Sequence, residues 1–206
     1  TDAELHDLYA VAPARYRVLT ALVLFHGMRI GEALGVRMGN VKVEPCRAPL
    51  LPRVTVEVRG QLQRLRDNGK TVMHYQTPKT DAGVRDVPVF GEFVPDVLRH
   101  MCRYAAPGRD GWLTVTSRGS AVFDTSYRKT LGEMRERAGV TRRVHPHAGR
   151  RWIVTRLAEA GATPAEIGQI LGDKDLATIT QIYTQVRQGR PRELMDRVGS
   201  TLQGTA

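Results

Sequence analysis

The hydrophobic pattern of this chain of 206 residues changes its period twice, and this change limits the possible folds more than any other feature. Apolar residues recur at helical spacing near the start, alternate in the middle, and return to helical spacing afterwards. Val54, Val56 and Val58 alternate with polar residues as in a half-buried strand, and Asn68-Gly69 is typical of a two-residue hairpin turn. The pattern predicts a mainly helical α+β domain with one small antiparallel sheet inserted early.

Capping patterns predict where several helices begin. Residues 1–4 and 163–166 have the spacing of a capping box, and a further helix is expected from about Pro13 to Phe25. Other apolar faces at helical spacing lie at Phe93 to Cys102, Tyr127 to Met134, Trp152 to Leu157, and Ile179 to Tyr183. Helices therefore make up most of the chain after the sheet.

The middle of the chain is expected to hold further strands of the same sheet. One strand ends near Tyr75, a turn spans Thr80 to Gly83, and another strand runs through Val84, Val87 and Val89. Lys79 lies at this second turn.

The charge balance points to an anionic partner. The chain has 31 Lys and Arg against 21 Asp and Glu, a formal charge of +10 and a pI near 10.2. Basic groups that neutralise phosphates release counterions, so nucleic acid is the favoured interpretation, and a basic surface that only aids solubility is the alternative. Cys46 and Cys102 form no CxxC pattern, and no apolar run reaches membrane-spanning length, which indicates a reducing cytoplasm and no membrane.

Three short stretches and one tyrosine carry the chemistry. They are residues 27–32 (GMRIGE), 77–80 (TPKT) and 147–150 (HAGR), followed by Tyr183. In this order and spacing they resemble the active-site set of the tyrosine recombinases of the phage-integrase family, over Thr1 to about Val198. The resemblance implies a tyrosine-recombinase catalytic domain whose small β-hairpin carries a catalytic lysine. It also implies that residues 1–206 are the C-terminal part of a longer integrase.

The resemblance assigns Arg29 and Arg150 to the scissile phosphate. Guanidinium groups are permanently charged and match phosphate with paired hydrogen bonds, so they can stabilise charge on the non-bridging oxygens without a metal. Glu32, three residues after Arg29, is expected to hold that guanidinium as a helical neighbour. An arginine taken alone is more often part of a surface ion pair.

The resemblance assigns Tyr183 as the nucleophile, His147 as its base and Lys79 as the acid that protonates the departing 5′ oxygen. A phenol with a pKa of about 10 needs a base and nearby positive charge to attack at neutral pH. Taken alone, Tyr183 beside Ile179 and Ile182 would be a core tyrosine, and Lys79 a solvated turn residue. The combination favours catalysis.

Two other motifs resemble a metal site and a nucleotide-binding loop, but each is incomplete. His145 and His147 form an H-x-H pair, but no third metal ligand lies nearby in sequence. Gly69-Lys70-Thr71 ends like a phosphate-binding loop, but position 64 is Arg where that loop requires Gly. We therefore expect no metal, no ATP and no other cofactor.

Asp173 departs from the family pattern, which has His or Trp after the Leu-Gly pair that precedes the nucleophile. An ionised carboxylate repels phosphate, so Asp173 is neutral, bonds another active-site group, or takes no part. We favour a tolerated replacement, in which Asp173→Ala is harmless to cleavage and Asp173→His speeds it. Gly149 and Arg151 replace the family's usual Leu and His without touching the proposed chemistry.

The sequence thus predicts a site-specific recombinase that cuts and rejoins DNA through a 3′-phosphotyrosyl link and a Holliday junction. The partners implied are double-stranded DNA attachment sites, three further copies in a homotetramer, and accessory DNA-bending or directionality proteins, in the cytoplasm and nucleoid of a bacterial host. Integration of a phage or mobile-element genome is the expected setting. A type IB topoisomerase-like enzyme and a non-catalytic DNA-binding module are the alternatives.

Overall fold

The computed structural model describes residues 1–47, 49–78, 83–173 and 176–203, without the side chains of residues 190, 191 and 201–203. The helices are α1 Asp2–Ala10, α2 Ala14–Leu24, α3 Ile30–Leu34, α4 Val94–Arg103, α5 Asp124–Arg137, α6 Pro146–Glu159, α7 Pro164–Leu171, α8 Ala177–Val186 and α9 Arg190–Gln203. The strands are β1 Val41–Glu44, β2 Arg53–Val58, β3 Gln61–Asp67, β4 Lys70–Gln76 and β5 Arg85–Pro88. Among these helices none is both long and apolar enough to cross a bilayer.

The predicted capping boxes are confirmed. The side chains of Thr1 and Thr163 accept hydrogen bonds of 3.3 Å from the backbone N–H groups of Glu4 and Glu166. Helix α7 ends at Gly172, whose φ of +66° is left-handed and ends the helix without steric cost. This turn aims the chain that follows it toward the first helices.

The strands form two sheets instead of the single sheet that the sequence pattern predicts. β1, β2 and β5 pair antiparallel in the order β1-β2-β5, and β3 and β4 form a separate antiparallel hairpin. The predicted turn at Asn68-Gly69 is confirmed, with φ values of 46° and 77°. The sheet divides at Gly60, where a Cβ would lie 2.3 Å from the ring of Tyr75, so the backbone passes directly against that ring.

One prediction about the core needs correction. Cys102 was expected on the apolar face of α4 but is exposed. His100 takes a buried position on this helix, and its Nε2 lies 2.8 Å from the carbonyl oxygen of Leu113. Strand β1 was not predicted, and the expected turn at residues 80–82 lies outside the described residues.

The apolar side chains form two clusters that meet at α6. The larger one surrounds α2 and includes the three-stranded sheet, α4 and α5, with Phe25 and Phe93 in ring contact at 4.7 Å between centroids. The smaller one joins α6, α7 and α8. Trp152 on α6 packs against both clusters, and the indole N–H donates to Asp2 over 2.7 Å.

His26 fixes the backbone just before the predicted Arg29 motif. Its Nδ1 lies 2.9 Å from the carbonyl oxygen of Ala21, and the backbone N–H of Phe90 donates to its Nε2 over 2.9 Å. The second contact requires an unprotonated Nε2, so the ring is neutral with its proton on Nδ1. Burial lowers the pKa of His26 to about 4, and the hydrogen bond to Ala21 only partly opposes this.

We expect His26 to make the domain less stable in mild acid. The unfolded chain binds a proton near pH 6.5 and the folded chain only near pH 4, so stability falls as the pH drops through this window. The loss should reach about 3 kcal/mol at the acid end. Urea unfolding of wild type and His26→Gln across this range measures it, because Gln can make both hydrogen bonds without titrating. Equal pH slopes in the two proteins would contradict the assignment.

Gly149 sets how closely α6 approaches α2. A Cβ at this position would lie 2.4 Å from both the Cα of Leu24 and the carbonyl oxygen of Val23, which are backbone atoms that cannot move aside cheaply. Gly at this position therefore has a packing reason that the sequence pattern does not reveal.

We expect Gly149→Ala to destabilise the domain by about 1–3 kcal/mol, because the methyl group forces the two helices apart. Gly132→Ala is the matched control, since it lies in α5 and nothing is within 4 Å of its added Cβ. The control should gain up to about 1 kcal/mol from helix propensity. Urea denaturation compares them, and a Gly149→Ala protein as stable as the control would disprove the packing argument.

Candidate active site

Arg29 lies at the start of α3, where Glu32 holds it from two directions. The carboxylate of Glu32 accepts the backbone N–H of Arg29 over 2.9 Å and its Nη1 over 2.8 Å. The first bond caps the N-terminus of the helix. The second bond fixes the orientation of the Arg29 guanidinium. The short helix begins here because Gly27, with a φ of +63°, lets the chain leave α2 and turn back.

Arg150 lies on α6 and reaches across to the same place. Its Nη1 donates to the carbonyl oxygen of Gly27 over 2.9 Å and its Nη2 to that of Leu171 over 2.7 Å. Its side chain is 13% exposed, against 37% for Arg29. Arg150 is thus fixed by backbone at the ends of α2 and α7.

The structure brings Arg29 and Arg150 together on one carboxylate, that of Asp173. Nη2 of Arg29 donates to Oδ1, and Nε and Nη2 of Arg150 donate to Oδ2, the Nε contact over 3.0 Å. Asp173 could be neutral, bond another active-site group, or take no part. The structure shows the second of these, because Asp173 bonds both predicted arginines. The carboxylate holds a single negative charge between two guanidiniums, as a phosphodiester would.

The pKa values of the site follow from its burial and charges. Burial lowers the pKa of Arg150; the hydrogen bonds that Arg150 donates to Asp173 oppose this, and the positive charge of Arg29 adds to it. Burial acts against ionisation of Glu32, but the hydrogen bond and charge of Arg85, together with the bonds from Arg29, keep its pKa below the usual value. Both arginines and Glu32 are charged at neutral pH.

His147 lies between two clefts. It is exposed in the first turn of α6 and lines a cleft of about 380 Å³ with Arg29 and β3, and a second of about 370 Å³ with Arg150 and Asp173. His145 lines a different cleft, beside α5.

Tyr183 does not line these clefts. It is half-buried on α8, one turn after Ile179 and next to Ile182, and these two isoleucines line the second cleft with Arg150 and Asp173. In the part of the chain that the structure describes, no hydrogen bond joins the Tyr183 hydroxyl to His147 or to either arginine. Lys79 lies outside the described residues. The catalytic roles of Tyr183, His147 and Lys79 stay predictions.

Arg85 is the residue of this site that the sequence analysis missed. It opens β5 with its side chain buried, and its Nη1 and Nη2 donate to the two carboxylate oxygens of Glu32. The signal was available in principle, because Arg85 has the same strand parity as Val87 and therefore shares its buried face. The strand predicted through Val84, Val87 and Val89 mixes the two parities, and Val84 is 46% exposed.

Comparison with known proteins identifies the class of protein to which this site belongs. Residues 1–190 match the Phage integrase family, so the chain belongs to this family. The tyrosine recombinase XerD of Mycobacterium tuberculosis is 31% identical over 180 residues, which cover 87% of this chain and 50% of that protein. The tyrosine recombinase XerD of Corynebacterium glutamicum is 28% identical over 192 residues, which cover 91% of this chain and 54% of that protein.

Solved structures confirm the expected fold. The Tn1549 transposon integrase, in complex with circular intermediate DNA, matches 96% of this chain and 64% of its own with a TM-score of 0.73 and 22% identity. The XerA recombinase matches 96% of this chain and 61% of its own with a TM-score of 0.66 and 20% identity. The chain spans about half the length of the curated relatives that it matches.

We expect Asp173→Asn to lower the stability of the DNA-free domain and to increase its response to sulfate. Without the carboxylate, Arg29 and Arg150 repel each other until another anion binds between them. Sulfate at ten times its Kd should then restore about 1.4 kcal/mol, whereas in wild type the carboxylate competes for the same donors. Thermal unfolding with and without sulfate measures the difference.

The matched control is Asp2→Asn, which removes a carboxylate charge beside Arg156, away from the clefts, and keeps an oxygen that can accept from Trp152. It should respond to sulfate as wild type does. An equal sulfate response in all three proteins would show that Asp173 does not occupy an anion site.

Proposed function

We propose that this chain is the catalytic domain of a site-specific DNA recombinase that forms a phosphotyrosyl link through Tyr183. The observation that carries this proposal is the convergence of Arg29 and Arg150 on a single anion. These guanidiniums come from opposite parts of the sequence, and their donors face one carboxylate of charge −1. A phosphodiester carries the same charge and accepts the same bidentate bonds.

In the proposed reaction the hydroxyl oxygen of Tyr183 attacks the scissile phosphorus. The phenol proton passes to His147, which reaches both clefts, and the bond from phosphorus to the 5′ oxygen breaks. Lys79 gives a proton to that oxygen, which leaves a 3′-phosphotyrosyl ester and a free 5′-hydroxyl. A 5′-hydroxyl from a partner strand reverses the step, so the bond energy is conserved and no nucleotide cofactor is consumed.

The two arginines act on the charge that develops during this step. Two non-bridging oxygens gain negative charge as the phosphorus becomes five-coordinate, and fixed guanidiniums stabilise that charge without reorganising. Asp173 occupies their donors in the DNA-free protein, so the phosphate has to displace it. Tyr183 then has to reach the phosphate from α8, whose Ile179 and Ile182 already line the cleft.

Complete recombination of two DNA sites would require a longer protein, and we propose that this chain is one part of it. Residues 1–206 would be the C-terminal catalytic domain of a longer integrase that acts as a homotetramer on two DNA attachment sites. Recombination would pass through a Holliday junction, with accessory DNA-bending or directionality proteins, in the cytoplasm and nucleoid of a bacterial host. Support comes from family membership and from the formal charge of +10, which suits a phosphate-rich partner.

We expect Tyr183→Phe to abolish covalent attachment to DNA while leaving DNA affinity within about threefold, because only the attacking oxygen is lost and phosphate contacts dominate affinity. The measurement is the denaturation-resistant protein–DNA band formed on nicked attachment-site DNA. Tyr104→Phe is the control, since its ring packs against His100 and Arg15 away from the proposed site.

Four results distinguish the possible functions. A covalent band in wild type and Tyr104→Phe but not in Tyr183→Phe supports the assignment. A band that persists in Tyr183→Phe would remove Tyr183 as the nucleophile. Tight binding without a band in wild type would instead indicate a DNA-binding module, and relaxation of supercoiled DNA without strand exchange would indicate a topoisomerase.

A further inference from the structure

Arg85 is buried beside the site without contacting the anion position. Its side chain and that of Glu32 are each 6% exposed. Nη2 of Arg85 donates to Glu32 Oε2 over 2.7 Å, Nη1 donates to Oε1 over 3.2 Å, and Nε donates to the carbonyl oxygen of Ile170 over 3.0 Å. All three nitrogens of this guanidinium therefore have partners.

Glu32 links Arg85 to Arg29. Each carboxylate oxygen of Glu32 accepts one bond from the Arg85 fork, and each also accepts one bond from Arg29, either from its backbone N–H or from its Nη1. The carboxylate cannot rotate without breaking bonds to both arginines. The direction of the Arg29 guanidinium thus depends on where Arg85 holds Glu32.

Arg85 also joins parts of the chain that are distant in sequence. It opens β5, the first described strand after Lys79, while Glu32 lies on α3 and Ile170 lies near the end of α7, three residues before Asp173. One guanidinium therefore fixes the relative positions of the segments that carry Arg29 and Asp173.

We propose that Arg85 is a positioning residue for DNA cleavage, which aims Arg29 at the scissile phosphate through Glu32. The inference rests on the proposed function, because it assigns a role in the reaction at that site. Arg29 is 37% exposed, and once a phosphate takes the place of Asp173, the bond to Glu32 is what still directs its guanidinium. Arg85 fixes the position of Glu32 before DNA arrives.

A purely stabilising role explains the arrangement less well. Buried ion pairs contribute little net stability compared with apolar side chains of the same size, because both charges lose their hydration. What a buried arginine fork provides is a fixed geometry, since its planar donors match a carboxylate in one orientation. Here the carboxylate that is fixed is the one that carries Arg29.

The first test is the rate of covalent-band formation on nicked attachment-site DNA in a single turnover. Arg85→Met should slow it by about 30- to 100-fold, because a misplacement of about 1 Å in a catalytic group has an effect of that size. DNA affinity should stay within about threefold, since Arg85 is buried away from phosphate. Arg85→Lys should give an intermediate rate, because it keeps the charge but lacks the fork.

A second substrate separates positioning from general loss of structure. A scissile methylphosphonate has a methyl group in place of one non-bridging oxygen, so it lacks the charge that Arg29 is proposed to neutralise. The ratio of phosphate to methylphosphonate cleavage rates should therefore fall in Arg85→Met, Arg85→Lys and Arg29→Ala. A domain that is only less well folded loses both rates equally, and an unchanged ratio in the Arg85 variants would overturn the proposal.

Three further variants complete the experiment: Arg37→Met, Glu32→Gln alone, and Glu32→Gln combined with Arg85→Met. Arg37→Met loses an ion pair with Asp110 and ring contacts with Tyr75 and Trp112, but it touches neither Glu32 nor Arg29, so its rate ratio should match that of wild type. In Arg85→Met combined with Glu32→Gln, the unpaired buried charge is removed, which protects folding. If Arg85 acts through Glu32, the double variant is no slower than the slower single variant, whereas multiplied effects would show independent action.

The outcomes distinguish this inference from the proposed function. If wild type and Arg37→Met form no covalent band, the proposed function fails. If both form the band and the Arg85 variants keep the wild-type rate and ratio, the function stands and only the role of Arg85 is wrong. If Arg85→Met does not fold, Arg85→Lys and the double variant provide the same comparison.

Discussion

The site depends on a row of alternating charges: Arg85, Glu32, Arg29, Asp173 and Arg150. Each carboxylate lies between two guanidiniums, and Arg29, the one guanidinium inside the row, lies between the two carboxylates. Guanidiniums stay charged at any physiological pH, so two of them can share a partly buried place only if anions separate them. The fold around α2, α6 and α7 therefore has to hold this row together.

The two carboxylates of this row differ in burial, and only the more exposed one can be replaced by a phosphodiester without opening the fold. Glu32 is 6% exposed and bonded by two arginines from within the fold, so it is a permanent part of the structure. Asp173 is 25% exposed and lies at the cleft. A phosphodiester that replaced Asp173 would leave the net charge of the row unchanged, so the exchange carries little electrostatic cost. The same exchange at Glu32 would require opening the core.

Local sequence patterns predicted the helix caps and the hairpin turn, which depend only on residues close together in sequence. The capping boxes at Thr1 and Thr163 and the turn at Asn68-Gly69 involve neighbours in sequence, and the structure confirms them. The pairing of Arg29 with Arg150 could not come from spacing, and only the family resemblance indicated that they act on one group. The division of the sheet could not be predicted from local patterns, because it occurs where Gly60 lies against the ring of Tyr75, a residue fifteen positions later.

Arg85 and Asp173 show why the rest of the site was harder to predict. A buried arginine in a short strand and an aspartate after a helix cap each look like ordinary surface residues in a sequence, since most charged residues are exposed. Their meaning comes from partners more than fifty positions away, such as Glu32 for Arg85 and Arg29 for Asp173. Such pairs are visible only after the tertiary contacts are known.

The position of the row follows from the close approach of two helices. Gly149 has no side chain where α6 crosses the end of α2, and at Gly27 a Cβ would lie 2.6 Å from the side chain of Ile153 and 3.4 Å from the Cα of Arg150. Because both glycines leave this space free, Arg150 comes within 2.9 Å of the Gly27 carbonyl oxygen. Arg29 follows Gly27 by two residues, so the same contact that seats Arg150 also brings Arg29 to the shared anion. Gly149 thus acts on the site through backbone packing, although its own position contributes no reacting group.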